Sequence, residues 1–191
     1  MFNITSAWKS AFPGAHAGVL VMRNASNPAH HDELEKQKME LEERLRSQFA
    51  GQDRAALASH PVLQIYGEYY KRFKKTYHVQ LQLESILLKG KTIPSVAGLV
   101  ESMFMAEVKN MLLTAGHNLD VLQLPLTLDV TTGNESYMLL RGENQTVKAG
   151  EYEDQRWHWD DLEYYLRPRP ADADHRRYAQ CDIYCLRSQW D

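Results

Sequence analysis

Between Pro94 and Leu113 the apolar residues Val96, Leu99, Val100, Met103, Phe104, Val108, Met111 and Leu112 recur at three- and four-residue spacing and trace one broad helical face. A helix with so wide an apolar face must be covered by other elements, so this stretch demands a packed core around it. The methionines read as gap-filling core rather than a cofactor box. Gly116 is the expected C-cap.

Two further helical segments precede it. Asn27-Pro28 offers an N-cap followed by proline at a first helical position, and the stretch to about Ala50 carries Leu34, Leu41, Leu45 and Phe49 among alternating Glu and Lys. The charged run reads as the solvated face of that helix, with i,i+4 pairs such as Glu40 and Arg44. Pro61 opens a second segment, in which Ile65, Tyr66, Tyr69, Tyr70, Phe73 and Tyr77 recur between Lys71, Arg72, Lys74 and Lys75. Aromatic residues interleaved with bases suit stacking on a nucleic acid. The same spacing also describes a core stripe with the bases as its wet border, the preferred reading. Gln80 to Lys89 predicts another helix, stopped by Gly90.

Strand patterns flank the helical block. Ala17 to Arg23 is a continuous apolar run after Pro13-Gly14, and Leu124 to Val130 alternates before a turn at Thr132-Gly133-Asn134 and a partner strand through Leu140. Strand, helices, then hairpin predicts a mixed α+β fold rather than repeating βαβ units. The chain has no glycine-rich phosphate loop and no Gly-x-Ser-x-Gly elbow.

With 43% hydrophobic and 25% charged residues, the 191-residue chain has an ordinary globular composition. Its net charge of −3 argues against a surface that coats polyanions throughout, though a local basic patch is compatible with it. No apolar run is long enough to span a bilayer and no signal-peptide stretch is evident, so a cytoplasmic location is expected. Cys181 and Cys185 stand four apart without a second pair, so neither a metal site nor a disulfide framework is expected.

The stretch Ile93 to Asp120, IPSVAGLVESMFMAEVKNMLLTAGHNLD, resembles without gaps a segment of free-standing B3/B4 proteins, relatives of the editing domain in the phenylalanyl-tRNA synthetase β subunit. The likeness continues through Gly133, Glu135, Leu140 and Gly142, and FPGAHAGVLVMRN, Phe12 to Asn24, looks like the family's first strand. It covers residues 1–150. The resemblance implies a sheet core packed by several helices that receives the aminoacylated 3′ end of tRNA and hydrolyses a wrongly attached amino acid, with no cofactor. Such a reaction needs a positioned water, donors for the oxyanion, and a partner for the wrong side chain's hydroxyl. His117 resembles the family's His or acidic position before a Leu-Asp pair, and is the candidate for water activation. A His after Gly116 also suits a helix cap. Glu135 is the second candidate, as an acceptor for a substrate hydroxyl or amino group, or else an exposed turn residue. Ser95, Asn118, Lys71 and Lys74 are candidates for binding the substrate and its tRNA. Where many relatives have Asp, Asn and Ser along the long helix, this chain has Glu101, Phe104 and Glu107.

From Tyr152 the composition breaks: the tail holds both cysteines, three of the four Trp, six Arg and no Lys. No strand or helix period is evident in it. Leu162 to Pro170, LEYYLRPRP, back-translated with permitted codons and read one nucleotide later, gives Ser-Ser-Ile-Ile-Tyr-Gly-Pro-Asp, which resembles the family at this place. The expectation is a frameshift near Glu151 or Tyr152, with residues 151–191 an atypical tail and the family's last strands missing.

Overall fold

The computed structural model describes residues 2–116, 125–138, 144–146, 149 and 181–187. Mixed helix and strand is what they form, in agreement with an α+β class. They divide into two units, one spanning Ser26–Thr114 and the other made of the described residues before and after it.

The first unit is helical. Its elements are α2 (Asp32–Gln48), α3 (Arg54–Ala58), α4 (Pro61–Lys71), α5 (His78–Leu87) and α6 (Gly98–Asn110). Leu41, Leu45, Leu57, Leu63, Val79, Leu83, Ile86, Met103, Phe104 and Val108 supply its core. The wide apolar face anticipated after Pro94 is that of α6, which packs against α2 and α5.

The start of α2 differs from the sequence pattern. It begins at Asp32, with His31 Nδ1 accepting from Leu34 N at 3.3 Å. Asn27-Pro28 caps a different helix: Asn27 Oδ1 accepts from Leu99 N and the Pro28 carbonyl from Gly98 N, both at 2.9 Å. Ala97, in the N-cap position of α6, has no side-chain oxygen to offer, so these orphan donors are met from far along the chain. The approach is close enough that a Cβ on Gly98 would lie 3.4 Å from Pro28 Cδ.

The aromatic segment after Pro61 is not one helix. Proline takes the first turn of α4 as expected, but the chain turns over residues 72–76, with Lys74 at φ 59°. The turn returns Tyr77 onto Tyr66, their rings stacked at 4.3 Å and 10°. Of the stripe, Phe73 and Tyr77 are buried, Tyr77 at 0% exposed, while Ile65, Tyr66, Tyr69 and Tyr70 are half-buried. At the end of α6 the left-handed C-cap is Met111 (φ 57°), five residues before Gly116.

The second unit carries α1 (Ser6–Ala11) and strands β1 (Phe2–Ile4), β2 (Ala15–Val21), β3 (Leu126–Leu128), β4 (Ser136–Met138), β5 (Asn144–Thr146) and β6 (Cys181–Arg187). Pairing runs β1 with β3 in parallel, β2 with β6 antiparallel from Ala15↔Arg187 to Val21↔Cys181, and β4 with β5 antiparallel. Two expectations are thereby corrected. Among the described residues the alternating run ending at Val130 pairs with the N-terminal strand, and β4, after Thr132-Gly133-Asn134, pairs with β5. And the tail contributes a strand, β6, although its sequence lacks strict alternation; a seven-residue antiparallel register meets the backbone groups of one edge of β2 whatever the side-chain pattern. Thr5 joins β1, α1 and β3: its hydroxyl accepts from Trp8 N and donates to Asp129 Oδ1, and its N–H donates to the Leu128 carbonyl.

Candidate functional site

Four carboxylates are buried in the helical unit, and each fastens backbone or a neighbouring helix. Glu42 accepts from Ile93 N at 2.6 Å and from Arg46, and Glu84 from Arg54 and Gln80. Glu101, 2% exposed, accepts from Val96 N at 2.7 Å through Oε1 and from Lys38 Nζ at 2.9 Å through Oε2. Lys38, 3% exposed, makes all three of its ammonium bonds: to Glu101, to Glu35 Oε1 at 2.8 Å and to Ser95 Oγ at 2.7 Å. Ser95 Oγ in turn donates to Glu35 Oε1 at 3.0 Å.

A lysine ammonium 2.7 Å from a serine hydroxyl invites comparison with a Ser-Lys nucleophile pair. The electrostatics exclude that role. Burial alone would push the Lys38 ammonium down, but its hydrogen bonds to Glu35 and Glu101 outweigh this and raise it above its usual value. Glu35 is lowered, chiefly by the bond from Lys38. Lys38 therefore keeps its proton and cannot take one from Ser95; the cluster locks the segment leading into α6 onto α2.

Glu107, also 2% exposed, sits in the last turn of α6. Its Oε1 accepts from Thr114 Oγ1 at 2.9 Å and Thr114 N at 3.3 Å, with His78 Nε2 at 3.4 Å, and its Oε2 accepts from Gln82 Nε2 at 3.0 Å.

In the strand-bearing unit, Glu135 closes the turn before it. Its carboxylate accepts from the N–H groups of Thr132, Gly133 and Asn134 and from the Thr132 hydroxyl, all within 3.1 Å. Gly133 meets the turn at φ 94°, where other residues are strained. The Thr132 N–H is the largest influence, followed by Glu135's own N–H and the Thr132 hydroxyl, and they hold the Glu135 carboxyl at about 2. Asp129 is likewise lowered, first by the Thr5 hydroxyl and then by Val130 N–H. A carboxylate depressed in the folded state stabilises it above its ordinary value of 4.5 and loses that contribution as the pH falls towards about 2. Acid titration followed by near-ultraviolet circular dichroism should show a loosening in that window that Glu135→Gln abolishes. An unchanged acid profile in the variant would count against this turn as the source.

The residues singled out from sequence are distributed as follows. Ser95 is exposed as a residue, yet its hydroxyl is committed to Lys38 and Glu35. Lys71 and Lys74 are exposed, one at the end of α4 and the other in the turn after it. Between them Arg72 lies with its guanidinium carbon 5.7 Å from the centre of the Tyr69 ring. Glu135 is half-buried with its carboxylate occupied by the turn. His117 and Asn118 lie outside the described residues. The buried charges Lys38, Glu42, Glu84, Glu101 and Glu107 are not announced as polar anchors by residue type, although Lys38, Leu41, Glu42, Leu45 and Phe49 share one helical face, where a charge on an apolar face is legible.

Among the described residues no group of three or more His, Cys, Asp or Glu is placed to hold a metal ion, and no helix is long and apolar enough to cross a membrane. Compared with protein-family models, with curated proteins and with solved structures, the chain matches none.

Proposed function

We propose that this chain is a B3/B4-type module that binds the aminoacyl end of tRNA and hydrolyses misacylated esters in trans. The observation that carries the proposal is the ungapped likeness over Ile93 to Asp120. The exposed corner of Lys71, Arg72 and Lys74 beside Tyr69 supports it, being a local basic and aromatic surface on a chain of net charge −3. In this reading the corner meets the tRNA backbone. His117 accepts a proton from a water, whose oxygen attacks the ester carbonyl carbon. The carbon–oxygen bond to the ribose then breaks, the ribose oxygen takes a proton, and the free amino acid leaves. Asn118 belongs to the substrate's surroundings, and the Ser95 hydroxyl, committed to Lys38 and Glu35, does not take part. Glu135 holds its turn rather than carrying a proton, because its carboxylate already accepts the turn's N–H groups.

A second reading, a module that binds RNA without chemistry, is favoured by one feature of α6. Where relatives have small polar residues, Phe104 is in the core and Glu101 and Glu107 are engaged by Lys38, Gln82 and Thr114. Deacylation of tyrosyl-tRNA bearing the phenylalanine anticodon separates the two. If the chain is a deacylase, His117→Ala should lower kcat by about 10²–10⁴-fold while leaving tRNA affinity intact. Binding without turnover would favour the module, and neither binding nor turnover would sink both.

A further inference from the structure

The helix α4 carries a glycine that its own packing does not require. Gly67 lies in the helix interior, where glycine is less favourable than every residue but proline. Elsewhere in the chain glycine answers a local need: Gly133 takes φ 94°, and a Cβ on Gly98 would lie 3.4 Å from Pro28 Cδ. At Gly67 the backbone is helical and a Cβ would meet nothing within 4 Å, so neither conformation nor packing accounts for the residue. What an unpacked glycine offers is close approach to the helix backbone from outside the fold.

The surroundings of the gap say what would approach. At three- and four-residue spacing the neighbours of Gly67 on the helix surface are Leu63, Gln64, Tyr70 and Lys71. Leu63 is buried and the Tyr70 ring lies 5.3 Å from that of Tyr77, so these two mark the core side. Gln64 and Lys71 are exposed, and Lys74 is exposed in the turn that follows. The open side of the gap is therefore rimmed by an amide and an ammonium, which suits an anionic chain and not an apolar helix face. Glu68, the one acid of α4, stands four residues before Arg72 and is outnumbered by Lys71, Arg72, Lys74 and Lys75.

We propose that Gly67 forms a notch in which the sugar–phosphate backbone of bound RNA lies against α4, with a phosphate on Lys71 and Gln64 at the other rim. The identity of the ligand rests on the tRNA reading above, and the notch on the open space at Gly67. With no side chain in the way, a ribose reaches contact with the helix backbone while its phosphate stays within reach of the Lys71 ammonium. A side chain at this position would hold both away.

The test follows binding of a fluorescein-labelled tRNA bearing the phenylalanine anticodon to the full chain by anisotropy, with thermal unfolding of each variant alongside. Gly67→Ala should raise the unfolding midpoint by about 2–4 °C, because alanine is the better helix former and its methyl enters open space. The same variant should weaken binding about threefold, and Gly67→Gln about tenfold without a lower midpoint than wild type. Stability and affinity thus move in opposite directions, which a glycine of purely structural use would not produce. Lys71→Gln should weaken binding and reduce the slope of log affinity against log salt by about one. Wild-type affinity in both glycine variants overturns the proposal, and so does a lowered midpoint in Gly67→Ala, which would show the position to be packed. An unchanged salt slope in Lys71→Gln overturns it as well, since no phosphate would then sit on that ammonium. If the wild-type chain does not bind the tRNA, the tRNA reading fails and takes the notch's ligand with it, whereas binding that the glycine variants leave untouched sinks the notch alone.

Discussion

Replacing Lys38 by methionine should destabilise the helical unit by about 3–5 kcal/mol, the cost typical of leaving one partner of a buried ion pair uncompensated. Methionine matches the lysine stem in length, so packing on α2 is retained and the loss isolates the charge. Glu101 would remain almost wholly buried, with only Val96 N–H donating to it. Glu35 and Ser95, nearer the surface, can turn to water and should contribute little. Because the Lys38 ammonium is raised above its ordinary 10.5, the stabilisation it provides is present below that pH and fades only as the pH climbs past the folded value. The double variant Lys38→Met/Glu101→Gln should recover most of the loss, since glutamine still accepts from Val96 N and carries no buried charge. Urea unfolding followed by far-ultraviolet circular dichroism measures both. A single-variant loss below about 1 kcal/mol would show that Glu101 is hydrated or protonated at little cost, contrary to the network described.

Truncating Tyr77 to alanine is expected to cost about 3–5 kcal/mol, the range for removing a large aromatic side chain from a core. Tyr77 is fully buried, stacked on Tyr66, edged by Tyr70 and His78, and its hydroxyl donates to the Met111 carbonyl. Tyr77→Phe separates the contributions. It keeps the ring contacts and removes one buried hydrogen bond, for a loss of about 1–2 kcal/mol. If alanine and phenylalanine variants unfold at the same urea concentration, the ring contacts contribute nothing and the aromatic cluster is not the core it is taken to be.

How much of this was legible beforehand is best seen at single positions. The period of α6, the proline opening α4 and a strand over Ala17–Arg23 all follow from local rules, and the structure has α6, α4 and, two residues earlier than expected, β2 over Ala15–Val21. Asn27-Pro28 carries a cap signature that is chemically correct, yet the helix it caps begins more than seventy residues later, because an orphan N–H accepts any well-placed oxygen irrespective of sequence distance. The turn at Thr132-Gly133-Asn134 was rightly located by its residues. Among the described residues the strands on either side of it pair elsewhere, β3 with Phe2–Ile4 and β4 with β5, partners that no local pattern names.

The candidate site divides in the same way. Residues that announce chemistry by type, Lys71, Lys74, Ser95 and Glu135, were visible at once, but a side chain's chemical role depends on what else reaches it. Ser95 is held by Lys38 and Glu35, and Glu135 by its own turn, and only the assembled neighbours reveal that. By itself the amino-acid sequence determined the mixed α+β character, the helical centre flanked by strands, and core positions such as Leu41, Leu45, Phe49, Phe73, Tyr77, Met103, Phe104 and Val108, since apolar periodicity acts through local geometry. Strand partners, the distant cap on α6 and the pairing of four buried carboxylates were decided by tertiary structure, because a hydrogen bond or an ion pair is set by distance in space, which local pattern does not encode.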